Sequence, residues 1–484
     1  MNNKAPFHPC VFDKEDPDLL WVGNDGNNDG IGTSDQPYPS LKRALDKVRP
    51  GQTIVLKSGN YRVQETIDAS GTEEKPVTIC GESDEVIIEG VSWRLYDVSD
   101  FILSNLTFRN VAHNALSVFG QCERNRFEYL HFVNCGGVNT ASCAMYFGGA
   151  HSYCNIIEFC LFERERVNSQ NSVEADNAGV GLMISEGNYQ EQERNTNYIV
   201  RNNRFKNYDY GIIVGTHDRN TGQYSHLIEN NTVESCSLDG ISVKCGDTEL
   251  QGNVITGCMR RGISLSGGND SILENNRIAE CSTGALIAGE YQTVRNNCFV
   301  RCRQFGVYNA GNSEITNVPA RATMIYSNTS IDCGSSTDSG AVGSAHLGVD
   351  AGTSCIVADN LFHGRQGAAI IGNPTKAAPE EFFAKHNALS GGCRGAQGCI
   401  DRYIEFSDFD KDNFENSSPF GAHGWVAHSP TAVADHAEMV YTSRDYKEHM
   451  PAAKSPKLAD SVIEDVNKET LYSRSMLPRR NCDT

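Results

Sequence analysis

The chain has 484 residues, 45 of them Gly and 18 Cys, and a formal net charge of -19. That charge excludes general nucleic-acid binding, which needs a basic face. It leaves room for a polyanionic sugar held by a local cluster of Lys and Arg. No segment approaches the roughly 20 apolar residues of a membrane span, so no membrane partner is expected. The opening MNNKAPFHPCVFDKEDPDLL lacks an apolar signal-peptide core. The protein is therefore expected to stay inside the cell or to use a leader lying outside this sequence.

Residues 1–53 read as an N-terminal arm and capping helix. The arm leads into one strand and a Gly/Asn/Asp loop, WVGNDGNNDGIGTSDQPYPS. Ser40 then caps a short amphipathic helix, LKRALDKV, which Pro50 and Gly51 stop. Such a helix would plug the open end of a solenoid, whose first strand edge is otherwise unpaired.

Residues 54–390 read as one long solenoid of coils. Four regular units carry the pattern, opening at Asn231, Asn253, Asn276 and Asn297, with steps of 22, 23 and 21 residues. Five residues after each Asn stands a Cys: Cys236, Cys258, Cys281 and Cys302. A Gly and a short apolar alternation follow. That alternation has period two, with Ile241, Val243, Ile263 and Leu265 pointing one way and Ser242, Lys244, Ser264 and Ser266 the other. A repeat of this length built on short strands is a parallel β-helix, an all-β solenoid. A leucine-rich repeat would need LxxLxL spacing and a helical half, and neither is present. The Asn column is expected to form an interior hydrogen-bonded ladder. The Cys column is expected to stack as buried thiols about 5 Å apart, the spacing of adjacent strands. Polar insertions at 164–180, 186–197 and 217–226 should emerge as loops on one side. Residues 391–484 lose the repeat and read as an irregular C-terminal extension, with short helical stretches within 435–470.

Aligning the coils on the Gly before each strand gives an outward column of Phe119, Gly148, Ser185, Gly215, Lys244 and Ser266. The neighbouring outward column holds Tyr146, Met183, Ile213, Ser242 and Ser264. Lys244 is thus a lone long cation between small neighbours, on the floor of a groove whose rim carries His151, Tyr189, His217, Asp218 and Arg219, with Glu186 just after the column. A lone Lys among carboxylates suits β-elimination from a uronic acid. A base removes the C5 proton once the adjacent carboxylate is neutralised by Ca²⁺ or Arg, and Tyr or His protonates the leaving oxygen. The alternative for Lys244 is a surface cation paired with Asp247 or Glu249.

The N-terminal block 21–90 resembles right-handed β-helix carbohydrate-active proteins. The resemblance rests on DGIGT, PYPSLKRAL, PGQTIVLKSGNYR and SGTEEKPVTI. It implies a right-handed β-helix with an N-terminal helical cap, an opening that serves lyases, glycosidases and binding proteins alike. The stretch DGISVKCGDTELQGNVITGC resembles the catalytic strand of calcium-dependent pectate lyases and the ISVKS strand of alginate and dermatan lyases. On that resemblance Lys244 falls on the catalytic Lys and Asp239 on an acidic metal-ligand position, with Asp247 a second acidic candidate for calcium. Two departures stand out. MRRGIS replaces the acidic cluster of the pectate type, and Ser266 stands where the alginate type has Arg. The neutralising Arg would then be Arg219, Arg260 or Arg261, and the acid His217 or Tyr146. The loop YGIIVGTHD resembles that of mannuronan C5-epimerases only loosely.

The sequence therefore reads as a polysaccharide lyase acting on an acidic, uronic-acid-containing polymer. Glu186, Tyr189, Asp218, Arg260, Arg261 and Ser266 are candidates for substrate contact. Two other classes fit the same scaffold. One is a glycoside hydrolase, using two of Glu186, Asp218, Asp239 and Asp247 at the separations that retaining or inverting hydrolysis needs, or a uronate C5-epimerase. The other is a non-catalytic glycan-binding solenoid. The sugar and the oligomeric state are not legible in the residues.

Overall fold

The computed structural model describes residues 8, 12–137, 142–149, 152–165, 179–185, 187–188, 193–215, 223–311, 318–335, 344–350, 353–358, 360–363, 368–372, 381–385, 388–389, 413–415 and 426–428. The chain is a parallel β-helix. Each coil contributes one short strand to each of three parallel sheets, in the same order every time. The coils fall into two compact units, residues 1–216 with 226–240, and residues 217–225 with 241–484.

In the first unit, Leu19–Val22 pairs in register with Thr53–Leu56, so the first sheet begins within the expected N-terminal arm. The helix is shorter than the sequence suggested, Leu41–Leu45, with the Ser40 side chain accepting from the Arg43 N–H. Leu41, Ala44 and Leu45 are its buried residues, and the helix packs on the strands Leu19–Val22, Thr53–Leu56 and Glu65–Ile67. Pro50 and the positive φ of Gly51 (91°) end the segment.

A typical coil shows how the sequence turns corners. Phe101–Ser104 lies in the first sheet, Thr107–Arg109 in the second and Leu116–Phe119 in the third. Between the first two strands Asn105 takes φ 54°, and between the last two Asn110 takes φ 57°. Asn tolerates this left-handed region because its short polar side chain bonds locally. The same corners use Asn202 (56°) and Asn207 (62°) three coils on.

The interior of the first unit is an aromatic stack. Phe108, Phe132, Phe162 and Phe205 are all fully buried, with successive ring centroids 5.2, 4.7 and 4.4 Å apart and planes within about 10°. The ring spacing matches the roughly 4.8 Å strand spacing, so in-register pairing of the second sheet sets the stack.

The second unit carries the regular repeat. Its Asn ladder runs Asn253, Asn276, Asn297, Asn328, Asn360: each backbone N–H donates to the next Asn Oδ1 at 2.9–3.0 Å. In the first unit Asn203 N–H donates to Asn231 Oδ1 in the same way, at 3.0 Å. Asn203, Asn328 and Asn360 extend the ladder expected from the four regular units. Many of these residues come as Asn-Asn pairs with a division of labour. Asn230, Asn275 and Asn296 take positive φ at the corner, and Asn231, Asn276 and Asn297 enter the ladder. The Cys column is buried and unoxidised: Cys236 in the first unit, and Cys258, Cys281, Cys302 and Cys333 in the second. Each of Cys281, Cys302 and Cys333 donates its thiol to the carbonyl two residues earlier. Elsewhere, Cys154 is disulfide-bonded.

Beyond residue 389 the described residues are two short antiparallel strands, Asn413–Glu415 and Val426–His428. The helical stretches expected within 435–470 lie outside the described residues.

Candidate active site

The strand Asp239–Val243 delivers Lys244. Ile241 and Val243 are buried in the interior, and Lys244 follows at the strand's end, half-buried. Within the second unit the outward lane continues in register through Ser266, Ala288, Ala310 and Asp350. Lys244 is thus the long cation at one end of a lane of small side chains. Beside it runs a second outward column of Ser242, Ser264, Leu286 and Tyr308. The Ser264 hydroxyl is buried and makes no hydrogen bond with a described residue.

The far end of this lane carries a pair that spacing did not reveal. The Tyr308 hydroxyl donates to Asp350 Oδ2 at 2.7 Å, and Gly311 N–H donates to the same oxygen at 3.0 Å. Burial first, and then the carboxylate, push the Tyr308 hydroxyl well above its ordinary range. No fixed spacing marks the pair, because the coil between the two residues is longer than the regular repeat.

In the first unit, Phe119, Gly148, Ser185 and Gly215 form one outward column as expected. Tyr146, Met183 and Ile213 form the next. The surface they make is less polar than a sugar groove floor would suggest. Cys143, Val180 and Tyr210 are buried, and Tyr146, Met183, Ile213 and Leu238 pack against them. Tyr146 meets Phe119 edge-on at 5.8 Å. The signal was present in the column itself, since Met and Ile at outward positions ask for cover.

Glu186, Tyr189, His217, Asp218, Arg219 and His151 lie outside the described residues. Arg260 and Arg261 stand at the head of the strand Arg261–Leu265, and Ser266 lies beyond its foot. Five residues of strand separate Arg261 from Ser266, about 16 Å. Asp239 likewise opens its strand, buried, while Lys244 follows its end. Asp247 lies in the next strand, Gly246–Gln251, and accepts from the Ser225 hydroxyl at 2.5 Å. Calcium takes six to eight oxygen ligands. Asp239 and Asp247 fall in different strands, and among the described residues no three His, Cys, Asp or Glu side chains converge on a metal position. By themselves Asp239 and Asp247 do not make a calcium cage.

Comparison with known proteins follows the fold. Residues 191–328 match the family described as right handed beta helix region, and residues 37–139 match the family Chondroitinase B. The pectate lyase PEL9 of Emericella nidulans is 36% identical over 89 residues, 18% of this chain and 21% of that one. Among solved structures, a mutant of the PL6 family alginate lyase AlyGC superposes with a TM-score of 0.61 at 19% identity, covering 80% of this chain and 56% of the other. The PL6 family polysaccharide lyase Pedsa3628 from Pseudopedobacter saltans gives a TM-score of 0.55 at 16% identity, covering 72% and 90%. This chain is a right-handed parallel β-helix protein. Within that class it resembles β-helix polysaccharide lyases of the pectate and alginate type. It spans about a fifth of the length of the curated relatives it matches, 23% and 21%.

Proposed function

We propose that the protein is a polysaccharide lyase that cleaves a uronic-acid-containing polymer by β-elimination, with Lys244 as the base. One observation carries the reading. Lys244 is a long cation presented on an outward lane whose next members in its unit, Ser266, Ala288 and Ala310, are all small. Ser266, Ala288 and Ala310 are themselves buried, so a sugar ring would meet the amine at the half-buried Lys244, with its C5 proton toward Nζ. The likeness to lyases in fold, and to PEL9 in part of the sequence, supports the same reading without deciding the sugar.

In the proposed step the unprotonated Lys244 amine takes the C5 proton. The C5–H electron pair forms the C4–C5 double bond, and the C4–oxygen bond breaks. The leaving oxygen receives a proton from His217. The carboxylate on C5 must be neutralised for the proton to leave. Of the three arginines named from the sequence for that role, Arg260 and Arg261 stand at the opposite end of their strand from Ser266, and Arg219 lies outside the described residues.

The test is product absorbance, since elimination creates an unsaturated uronate and hydrolysis does not. The substrates are pectate, alginate, glucuronan and glycosaminoglycans. Lys244→Ala is expected to lower turnover on the best substrate by about a hundred- to ten-thousandfold, the contribution of a general base. Its stability should change by no more than about 0.5 kcal/mol, as for an ordinary surface site. Lys244→Arg should not rescue, because a guanidinium stays protonated at working pH. Near wild-type elimination in Lys244→Ala removes Lys244 from the reaction. Cleavage without unsaturated product moves the assignment to a hydrolase.

A further inference from the structure

In the first unit, the strand Trp93–Tyr96 alternates buried and exposed. Trp93 and Leu95 fill the interior, and the Trp93 indole N–H donates to the Val63 carbonyl at 3.2 Å, fixing the strand. Arg94 and Tyr96 point out. Tyr96 is 57% exposed, one of five large hydrophobic side chains so displayed among the described residues. Arg94 forms no ion pair with a described residue. Other outward arginines of this unit are neutralised: Arg109 by Glu89 at 2.6 Å, Arg124 by Asp100 at 2.7 Å, and Arg201 by Glu158 at 2.7 Å. Two acids stand near the strip: Asp97, with one oxygen engaged by the Gln121 N–H at 2.8 Å, and exposed Asp68, which follows Ile67 on the neighbouring strand.

The next coils continue the surface. Phe119 follows Tyr96 in register, Ser117 follows Arg94, and Tyr146 follows Ser117. Gly148 stands where a side chain would collide with these rings: a Cβ there would come within 2.3 Å of Tyr146 and 2.8 Å of Phe119. The result is a strip with an aromatic floor and an uncommitted guanidinium on its edge.

We propose that Arg94, Tyr96 and Phe119 form a docking platform for the acidic polymer, one uronate ring lying on Tyr96 with its carboxylate paired to Arg94. The proposal rests on the uronic-acid reading above and adds a binding site remote in sequence from Lys244. Charge complementarity selects the occupant. The planar guanidinium matches a carboxylate in a two-point contact, and an aromatic face covers the apolar face of a sugar. A protein partner or a second copy would need on the order of 800 Å² of surface per side. The exposed apolar part of this strip is little more than one Tyr.

Affinity electrophoresis through pectate, alginate, glucuronan and chondroitin sulfate gels tests the platform, because it reads binding and not turnover. The proteins are wild type, Tyr96→Ala, Arg94→Ala, Arg94→Lys and Lys244→Ala. At least one gel is expected to retard the wild type. In that gel Arg94→Ala should weaken binding by about tenfold or more, Arg94→Lys by less, and Tyr96→Ala by several-fold. Melting temperatures should be unchanged, and any loss in Lys244→Ala should be smaller than in Arg94→Ala. Three results overturn the proposal: no retardation of wild type in any acidic gel, equal retardation of wild type, Arg94→Ala and Tyr96→Ala, or a loss that tracks a fall in oligomeric mass by light scattering. Retardation lost in the platform variants, with no unsaturated product from any polymer, keeps the platform and sinks the lyase reading. Unsaturated product with retardation unchanged in the platform variants sinks the platform alone.

Discussion

His226 is fully buried in the first unit, where its Nδ1 accepts the Tyr198 backbone N–H at 3.2 Å. It occupies the corner position that Asn155 fills earlier, where Asn155 Oδ1 accepts the Asn125 N–H at 3.1 Å. Burial depresses the imidazole from 6.5 to about 3. The unfolded chain therefore binds a proton below pH 6.5 that the folded chain refuses until about pH 3. The stability of the neutral form is fully present above pH 6.5 and erodes as pH falls through that window, by about 1.4 kcal/mol per pH unit for one His. His346, lowered to about 4 by burial, adds a second such group. His226→Asn, which supplies the same acceptor without a titrating ring, is expected to flatten the acid limb of a melting-temperature profile between pH 6.5 and 4. An unchanged slope would count against the assignment. At this scale the sequence was half legible. Lys244 stood out because its lane neighbours are small, while Arg94 and Tyr96 did not, because only the pairing of nearby arginines shows that Arg94 is uncommitted.

The element that organises the first unit is the run of four paired strands carrying Phe108, Phe132, Phe162 and Phe205. Rings held 4.4–5.2 Å apart by backbone pairing cannot close a gap left by a missing member. Phe162→Ala is expected to cost about 3–5 kcal/mol, seen as a lower midpoint in chemical denaturation with little change in slope. A cost under about 1 kcal/mol would mean the column collapses and repacks. The regular coils were legible because Asn, Cys and Gly recur at fixed offsets. The Phe column was visible in NLTFRN, YLHFVN, CLFERE and NRFKN, but the irregular coil lengths between those stretches hid their common register. The helix fell short because Asp46 closes it, its own N–H bonded back to Lys42 and Ala44 carbonyls.

At the scale of the whole molecule, thirteen cysteines among the described residues are free, and all thirteen are buried. Burial raises Cys122 and Cys298 to about 11 and Cys135, Cys143 and Cys355 to about 12, which suppresses the reactive thiolate. A thiol reagent should find these cysteines silent in the native protein and at least thirteen thiols after denaturation without reductant. Fewer would mean that the interior column is oxidised. The ladder that runs beside that column has a consequence for how such a chain changes length. Asn253 is satisfied by Asn276 and Asn276 by Asn297, each through the same pair of atoms. Removing residues 276–296 as a block would hand Asn297 to Asn253 and leave every bond type intact. Removing one residue fewer would strand a buried amide and turn every following side chain to the wrong face. Insertions and losses are therefore quantised in whole turns, and between turns the molecule can vary freely only at its loops.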